Sequence, residues 1–557
     1  MVRGDSCFYL PRLSQAIHSR LFGKITRMIR RPLHPTRALV YILLFAFLIA
    51  ACSPPAPTGA TPTYDPFVHV GGTPETFDPN STQTPAPTRT PGPTPTFAPL
   101  LLTLHPRGPT MPLSTPTPDA PRSLPTPRLN ANQYNVQAGD TLNSIAQQYS
   151  VSVNALMQAN KITDADTLAI GQPLTIPAPE PGTPGASFKI IPDSELVYGP
   201  ASAQFDVDGF IKKQGGYLAA YTETVGAESL TGAQVVVVVS QNYSVNPRLL
   251  LALLEHRSKW LSQVNPDAGT LDYPLGFIEQ NHVGLYHQLS WAANELNRGF
   301  YLWRANAVST WVLTDGSVVP INPSINAGTA GVQNLFSKLD DRAAWDNDVF
   351  AFGLFQTYSF LFGSPFDLAV EPLIPSGLAQ PLMQLPFESG VTWAFTGGPH
   401  AGWDSGSAWA ALDFAPLDDM GCAVSAQWET AAADGFIIRA KDGAVIEDLD
   451  GDGYEQTGWD VLYMHVAAQD RVRAGTYVYA GDRIGHPSCE GGISNATHLH
   501  IARKYNGEWI AADGGLPFNL SGWISSGTGT EYDGYLKRGA STLEATEGIS
   551  ELNQISR

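Results

Sequence analysis

The sequence is poor in charged residues, and most of those it has are acidic. Only 15% of its 557 residues are charged, with 33 lysines and arginines against 51 aspartates and glutamates, so the formal net charge is -18. A chain this acidic repels phosphate backbones, which excludes nucleic acid as the main partner. The chain is also too long for one hydrophobic core, since single cores stop growing at about 250–300 residues. We therefore expect several domains.

The apolar run near the N-terminus is short. Residues 38–51 follow a basic stretch and are too few to span a bilayer, which is the pattern of a signal peptide. The run ends in the letters LIAAC, which resemble the lipobox of bacterial lipoproteins. The resemblance implies that residues 1–51 are a signal peptide and that Cys52 carries the lipid, with an uncleaved anchor or a cleavage site near Ala51 as the alternative. We expect an extracytoplasmic protein, lipid-anchored to the cell membrane.

Cysteine is scarce, with four in the whole chain. Cys7 and Cys52 belong to the N-terminal segment, which leaves Cys422 and Cys489. In an oxidising compartment these two are available for one disulfide, and two free buried thiols are the alternative.

Residues 52–130 lack the apolar periodicity of a folded domain. They hold nearly half of the 45 prolines, interleaved with threonine as in TQTPAPTRTPGPTPTF. Because proline has no backbone donor and fixes its own dihedral angle, such a composition favours an extended polyproline spacer. We predict a disordered linker here.

A compact pattern begins near residue 131 and ends near 178. A short strand, two helical patterns and a second strand predict a β-α-α-β module. The letters YNVQAGDTL and GQPLTIP resemble the opening and close of a LysM module. The resemblance implies binding to N-acetylglucosamine-containing glycans, above all peptidoglycan, through Gly139, Asp140, Thr141, Asn160 and Ile162. Helix capping by Asp140 and Thr141 and core packing by Ile162 are the structural alternatives.

Periodic apolar runs over residues 188–384 predict a mainly helical domain of unknown role. The run VNPRLLLALLE faintly resembles the helix that carries the catalytic glutamate of lytic transglycosylases, and GLFQ resembles their later G-L-M-Q. However, Arg257 stands at the position of that glutamate, and an arginine cannot act as a general acid. Glu255 lies about 200 degrees away around the helix. We therefore expect a structural or substrate-presenting domain.

Histidines are concentrated in patterned positions of the region from 385 to 525. Short β-type runs with glycine-rich breaks predict a mainly antiparallel sheet there. His498 and His500 are two residues apart on a predicted strand, so they project from the same face. Together with His400, with Asp413 in the letters LDFAP and with His465 in LYMH, they resemble the lysostaphin-type peptidoglycan metallopeptidases.

The resemblance implies that His400, Asp413 and His500 bind zinc, and that His465 and His498 flank the water that the metal activates. Two imidazoles and a carboxylate leave one metal position open, as hydrolytic zinc sites require. Either His465 or His498 can be the general base. Asp404 is a rival ligand, because it lies at the family's usual short distance after His400, but its context is less strand-like than that of Asp413.

A second acidic group comprises Asp448, Asp450 and Asp452. Alternating carboxylates followed by glycine at the sixth position match the start of a calcium loop. The twelfth position is Trp459, where a bidentate glutamate belongs. Calcium is thus a possible second cofactor, and a solvated hairpin tip is the alternative.

These observations predict a multidomain protein: a small α+β LysM module, a mainly helical middle domain, a mainly antiparallel β peptidase domain and a C-terminal tail over residues 526–557. The predicted function is that of a cell-wall hydrolase, a zinc-dependent endopeptidase that cleaves the peptide crosslinks of peptidoglycan. The alternative is a non-catalytic peptidoglycan-binding scaffold or an activator of another wall hydrolase.

Overall fold

The computed structural model describes residues 130–137, 140–149, 151–164, 168–178, 183–418 and 421–557. Cys52, the predicted signal peptide and all but the last residue of the predicted linker lie outside these residues. Among the described residues, no helix is long and apolar enough to cross a membrane.

The first folded part is a small α+β module. Its elements are β1 (Asn132–Asn135), α1 (Leu142–Gln148), α2 (Val153–Asn160) and β2 (Pro173–Ile176). The strands pair antiparallel, with Tyr134 opposite Leu174. Leu142, Ile145 and Leu156 are buried between the helices and this ribbon. The β-α-α-β order is the one that the sequence pattern predicts.

The middle region is mainly helical, as predicted. Its helices are α3 (Val207–Gln214), α4 (Gly232–Tyr243), α5 (Pro247–Ser258), α6 (Leu285–Arg304), α7 (Ala327–Ser337), α8 (Arg342–Asp348) and α9 (Leu354–Phe362). Two hairpins accompany them, β3 (Thr222–Val225) with β4 (Glu228–Thr231) and β5 (Thr310–Val312) with β6 (Val318–Pro320).

Helix α5 forms the centre of this region. Its residues 249–254 are at most 1% exposed, so the run is buried on all sides rather than amphipathic. Asn246 caps the helix by accepting from the backbone N–H of Arg248, and Pro247 occupies the first turn, where no amide donor is needed.

The C-terminal region is mainly antiparallel β structure, again as predicted. Its strands are β7 (Thr392–His400), β8 (Ala411–Pro416), β9 (Glu429–Thr430), β10 (Gly435–Lys441), β11 (Ala444–Asp448), β12 (Trp459–Val466), β13 (Tyr477–Val478), β14 (Arg483–Gly485), β15 (Pro487–Glu490), β16 (Leu499–Tyr505), β17 (Glu508–Trp509), β18 (Asn519–Leu520), β19 (Trp523–Gly527), β20 (Gly534–Arg538), β21 (Ser541–Glu544) and β22 (Gln554–Ser556). The main sheet has the order β13-β10-β11-β12-β16-β8-β7-β22.

The two faces of this sheet have different environments. Leu499 and Ile501 of β16 lie on one face, in the larger core of the domain. Ala502 lies on the other face, in a smaller apolar cluster that contacts Tyr301 of α6 and Trp403. The helical region is therefore packed against the same sheet face to which His500 belongs by strand alternation.

Hydrogen bonds join the helical region to this end of the sheet. The Ser244 hydroxyl donates to the Gly507 carbonyl at 2.6 Å, and the Trp509 amide donates to the Tyr301 hydroxyl at 3.0 Å. These contacts fix the helical region against the β16–β17 hairpin.

Residues 526–557, predicted as a C-terminal tail, are instead part of the fold. Strand β22 pairs with β7, and Ile555 is 3% exposed within the main core. The prediction is wrong because this strand is only three residues long and its partner lies far upstream, so no local pattern reveals the pairing.

Cys422 and Cys489 form a disulfide in the structure, with their Cα atoms 5.3 Å apart. The bond ties the loop after β8 to β15, next to the strands that carry the histidines.

Candidate metal centre

His400, Asp413 and His500 come together at one end of three neighbouring strands. His400 is the last residue of β7, Asp413 lies in β8, and His500 is directly opposite Asp413 on β16. Each offers one ligand atom, and these atoms all lie within 4.8 Å of one another. The sheet thus converts three positions spread over about a hundred residues into one cluster.

Hydrogen bonds to the backbone determine which ring nitrogens face the cluster. The Nδ1 atom of His400 is 2.8 Å from the Gly398 carbonyl, and the Nε2 atom of His500 is 3.1 Å from the Gly402 carbonyl. A carbonyl only accepts, so each of these nitrogens carries the proton of the neutral ring. The other nitrogen of each ring therefore presents a lone pair to the cluster.

The distances within the cluster fit a tetrahedral metal ion. The His400 Nε2 atom is 3.0 Å from His500 Nδ1, and each of these nitrogens is 3.2 Å from Asp413 Oδ1. Ligand atoms at zinc–nitrogen and zinc–oxygen distances of about 2.0–2.1 Å in a tetrahedron are ~3.3 Å apart. The donor set and its spacing therefore suit zinc.

Asp413 supplies the second sign of a metal site. Its Oδ1 atom is buried and accepts no hydrogen bond within the described part of the chain. Burial alone raises the pKa of this carboxyl, but the rings of His400 and His498 outweigh that effect and hold its pKa well below the usual range. Asp413 is thus an ionised, buried oxygen ligand, which is costly without a cation beside it.

Gly397 makes room for Asp413. The two residues are opposite each other on β7 and β8, and a Cβ atom at position 397 would lie 2.7 Å from Asp413 Oδ2. The strand register also shifts on either side of Gly397. The missing side chain allows the carboxylate to lie flat against the neighbouring strand.

His465 and His498 lie beside the three ligand candidates. Their ring centroids are 4.4 Å apart, and His498 Nε2 is 3.8 Å from Asp413 Oδ1. In both rings Nδ1 bonds a backbone carbonyl, that of Glu490 at 3.1 Å and that of Ala496 at 2.8 Å. Both Nε2 atoms consequently carry the free lone pair.

The backbone at His465 is unusual, with a φ of 70° at a bulge between β12 and β15. Residues other than glycine adopt this conformation rarely, and it often marks a functional site. Burial lowers the pKa of His465 well below its usual range, and His498 and His500 act in the same direction. The ring is therefore held neutral, as a proton acceptor.

Asp404 does not take part in this cluster. Its carboxylate instead accepts a hydrogen bond from the Tyr243 hydroxyl at 3.2 Å, at the contact with helix α4. The neighbouring Gly406 amide donates to Asn294 Oδ1 at 2.7 Å. The insertion between His400 and Asp413 thus contacts the helical region, whereas Asp413 faces the two ring nitrogens.

One neighbour of the site was missed by the sequence reasoning. The Tyr532 ring stacks on the His400 imidazole, with centroids 4.2 Å apart and an interplanar angle of 19°. Tyr532 belongs to the segment that was predicted as a tail, so no strand pattern placed it near the histidines.

The predicted glycan-binding residues serve the module's own structure where it is described. Asp140 Oδ2 accepts from the Tyr134 hydroxyl at 2.7 Å, and Thr141 Oγ1 accepts from the Ser144 amide at 3.0 Å. Asn160 bonds the backbone of Thr175 in both directions, at 2.7 and 2.6 Å. Ile162 packs against the core of the module, and Gly139 lies outside the described residues.

The charged residues of helix α5 also have structural partners. Glu255 accepts hydrogen bonds from the Leu261 amide and the Ser262 hydroxyl, just beyond the end of its helix. Arg257 donates to Asp340 at 2.8 Å. Neither side chain is placed as a general acid, in agreement with the structural role expected for this region.

Two families match separate parts of the sequence. The LysM domain matches residues 134–177, and the family described as LasA, N-terminal domain, matches residues 189–374. No curated protein matches the chain at a significant level. A LysM domain and a region similar to the LasA N-terminal domain thus precede the β domain that carries the metal centre.

Solved structures similar to this chain include several peptidases. The M23 metalloprotease pseudoalterin from the deep sea is 22% identical, with 32% of this chain and 100% of that chain covered and a TM-score of 0.25. The catalytic domain of lysostaphin from Staphylococcus simulans is 23% identical, with coverages of 23% and 89% and a TM-score of 0.16. A zinc-containing peptidase from Vibrio cholerae is 17% identical, with coverages of 24% and 41% and a TM-score of 0.17.

Proposed function

We propose that the protein is a zinc-dependent endopeptidase of the cell wall, which cleaves peptide crosslinks of peptidoglycan. The carrying observation is the convergence of unprotonated atoms: His400 Nε2, His500 Nδ1 and Asp413 Oδ1 lie 3.0–3.2 Å apart. Such a set has no stable hydrogen-bond pattern of its own, because none of its members donates. A metal cation satisfies all three at once.

His400, Asp413 and His500 would hold the zinc ion. When bound, zinc polarises a carbonyl oxygen and lowers the pKa of water to about 7. The backbone carbonyls of Gly398 and Gly402 keep the two rings in the tautomers that expose a lone pair to the cluster. Such outer hydrogen bonds orient metal ligands and increase their basicity.

His465 and His498 would move the proton during peptide hydrolysis. Each directs an unprotonated Nε2 away from its backbone carbonyl partner, so each can accept a proton from the attacking water and pass it to the leaving amine. The ring that does not act as base can, once protonated, donate a hydrogen bond to the oxyanion that develops on the peptide carbonyl. The 4.4 Å between the two rings allows one substrate group to contact both.

The LysM module would hold the enzyme on its insoluble substrate. The match over residues 134–177 supports binding to N-acetylglucosamine-containing glycans. Tethering a catalytic domain to a polymer raises its effective concentration at neighbouring peptide bonds. A lipid at Cys52 would add attachment to the cell membrane and place the protein outside the cytoplasm.

Digestion of purified peptidoglycan by the full-length, detergent-solubilised protein tests this function. We expect new free amino groups in the soluble products without new reducing sugar ends, because peptide and not glycan bonds are cleaved. His465→Ala and His498→Ala should retain zinc and lose most of the release. A wild-type protein that binds zinc and releases no amino groups would contradict the proposal and favour the non-catalytic scaffold or activator.

A further inference from the structure

We propose a second cation site, for calcium, formed by Asp448, Asp450, Asp452 and Asp460. It lies in the hairpin that connects β11 to β12 and is independent of the peptidase function. The three carboxylates of the loop alone would be an ordinary acidic cluster. The fourth residue, on the adjacent strand, carries the inference.

The three loop carboxylates lie close together. One oxygen from each of Asp448, Asp450 and Asp452 can be chosen so that all lie within 4.8 Å of one another. Backbone amides orient this group, because Gly451 and Gly453 both donate to Asp448, at 2.9 and 2.8 Å. The carboxylates are thus held together without a cationic side chain bonded to any of them in the described chain.

Asp460 is an unpartnered carboxylate in the interior of the protein. It is 0% exposed, and neither of its oxygens has a hydrogen-bond partner among the described residues. An isolated buried carboxylate is costly, and removing the cost requires a cation, a donor or a proton. The structure supplies neither of the first two at bonding distance.

The strand register directs Asp460 to the loop cluster. Asp460 of β12 is directly opposite Asp448 of β11, so both side chains project from the same sheet face. Directly opposed residues in antiparallel strands have Cβ atoms about 4.5–5.5 Å apart, and like charges there repel. Burial raises the pKa of Asp460 well above its usual range, with Asp448 and Asp450 adding to the effect.

The nearest cationic side chain is used by another acid. Lys504 lies opposite Asp460 on β16, but its Nζ atom bonds Glu455 Oε2 at 3.2 Å. Arg439 also bonds Glu455, at 2.7 Å. Two cations therefore serve Glu455, and Asp460 is left facing the three loop carboxylates.

The ligand chemistry favours calcium. Calcium takes six to eight oxygen ligands at about 2.3–2.6 Å, whereas zinc prefers nitrogen and sulfur. The loop begins like a calcium loop, with carboxylates at positions one, three and five and Gly453 at position six. Position twelve is Trp459 and contributes no carboxylate, and Asp460, the next residue, supplies the missing acidic ligand from the strand.

Calcium titration of the full-length protein tests the site. In calcium-depleted buffer, addition of calcium chloride should raise the unfolding midpoint of the wild type by about 5 °C, and magnesium chloride should raise it much less. Asp460→Asn should abolish the calcium response and, without calcium, unfold no earlier than the wild type, because it removes an unpaired buried charge. Asp470→Asn, an exposed aspartate of the same domain, is the matched control and should respond like the wild type.

Terbium luminescence gives a second readout that does not depend on stability. Terbium replaces calcium at oxygen sites, and Trp459, the neighbour of Asp460, can sensitise its emission. The signal should appear in the wild type, be displaced by calcium and be lost in Asp450→Asn, an exposed position that serves if Asp460→Asn does not fold.

The same titration in an Asp413→Asn background separates the two metal sites, since a calcium response retained there does not depend on zinc. An absent calcium response in the wild type, an equal response to magnesium, or a full response in Asp460→Asn would overturn the proposal.

Discussion

The Nε2 atom of His400 lies 3.0 Å from the Nδ1 atom of His500, although neither nitrogen of the neutral rings carries a proton. Each ring has its proton on the opposite nitrogen, bonded to the carbonyl of Gly398 or Gly402. Two lone pairs at this distance repel unless a cation lies between them. This pair, with the buried Oδ1 atom of Asp413, is the physical reason to assign a metal to this end of the sheet.

Gly397→Ala should remove the metal without touching a ligand. The new Cβ atom would lie 2.7 Å from Asp413 Oδ2 and 2.9 Å from Asp413 Cβ, so the carboxylate must move. We expect zinc affinity to fall about 10-fold or more. Competition with a chelator of known affinity measures the change.

Gly515→Ala is the matched control, because no atom lies within 4 Å of its added Cβ. Equal zinc affinity in Gly397→Ala and the wild type would show that the carboxylate does not need this space.

Tyr532→Ala should weaken zinc binding through His400. The stacked ring, 4.2 Å from the imidazole, restricts the orientation of that ligand. Loss of a residue that supports a metal ligand weakens affinity by about 10-fold. Tyr532→Phe keeps the stack and should bind zinc like the wild type. If both variants bind equally tightly, Tyr532 does not position His400.

Glu447 should make the β domain less stable as the pH rises. Burial raises the pKa of Glu447 from 4.5 to about 8, although its bond with the Tyr463 hydroxyl opposes the shift. The folded state therefore holds a proton that the unfolded chain releases, so this contribution to stability is full below pH 4.5 and is lost toward pH 8.

Thermal unfolding of wild type and Glu447→Gln between about pH 5 and pH 8 measures this contribution. The variant cannot ionise at this position, so its midpoint should gain several degrees relative to the wild type as the pH rises. Glu544→Gln, on the exposed strand β21, should follow the wild type. A constant difference between wild type and Glu447→Gln would contradict the raised pKa.

Local patterns were sufficient for much of the architecture. The β-α-α-β module, the helical region and the antiparallel sheet follow from periodicity, capping residues and strand alternation. His498 and His500 share a sheet face because they are two residues apart on one strand. The convergence of His400, Asp413 and His500 also depends on the order β16-β8-β7, which a family resemblance can imply and a periodicity cannot.

Non-local pairing limited the rest. Tyr532 reaches His400 because β22 returns to pair with β7, and the three-residue strand has no signal of its own. Asp404 contacts Tyr243, a residue 161 positions away, and a spacing rule made it a rival ligand. Asp460 faces Asp448 only through the register of β11 and β12. Cross-strand neighbours of this kind become visible when the register is known.

The zinc content of the full-length protein, beside Asp413→Asn and Asp404→Asn, tests the central claim most directly. Both variants exchange an aspartate for its isosteric amide, and only Asp413 lies 3.2 Å from a ring nitrogen of both His400 and His500. We predict one zinc ion per chain in the wild type and in Asp404→Asn, and nearly none in Asp413→Asn, with all three proteins folded by circular dichroism. A wild type without zinc, or zinc retained in Asp413→Asn and lost in Asp404→Asn, would contradict the account.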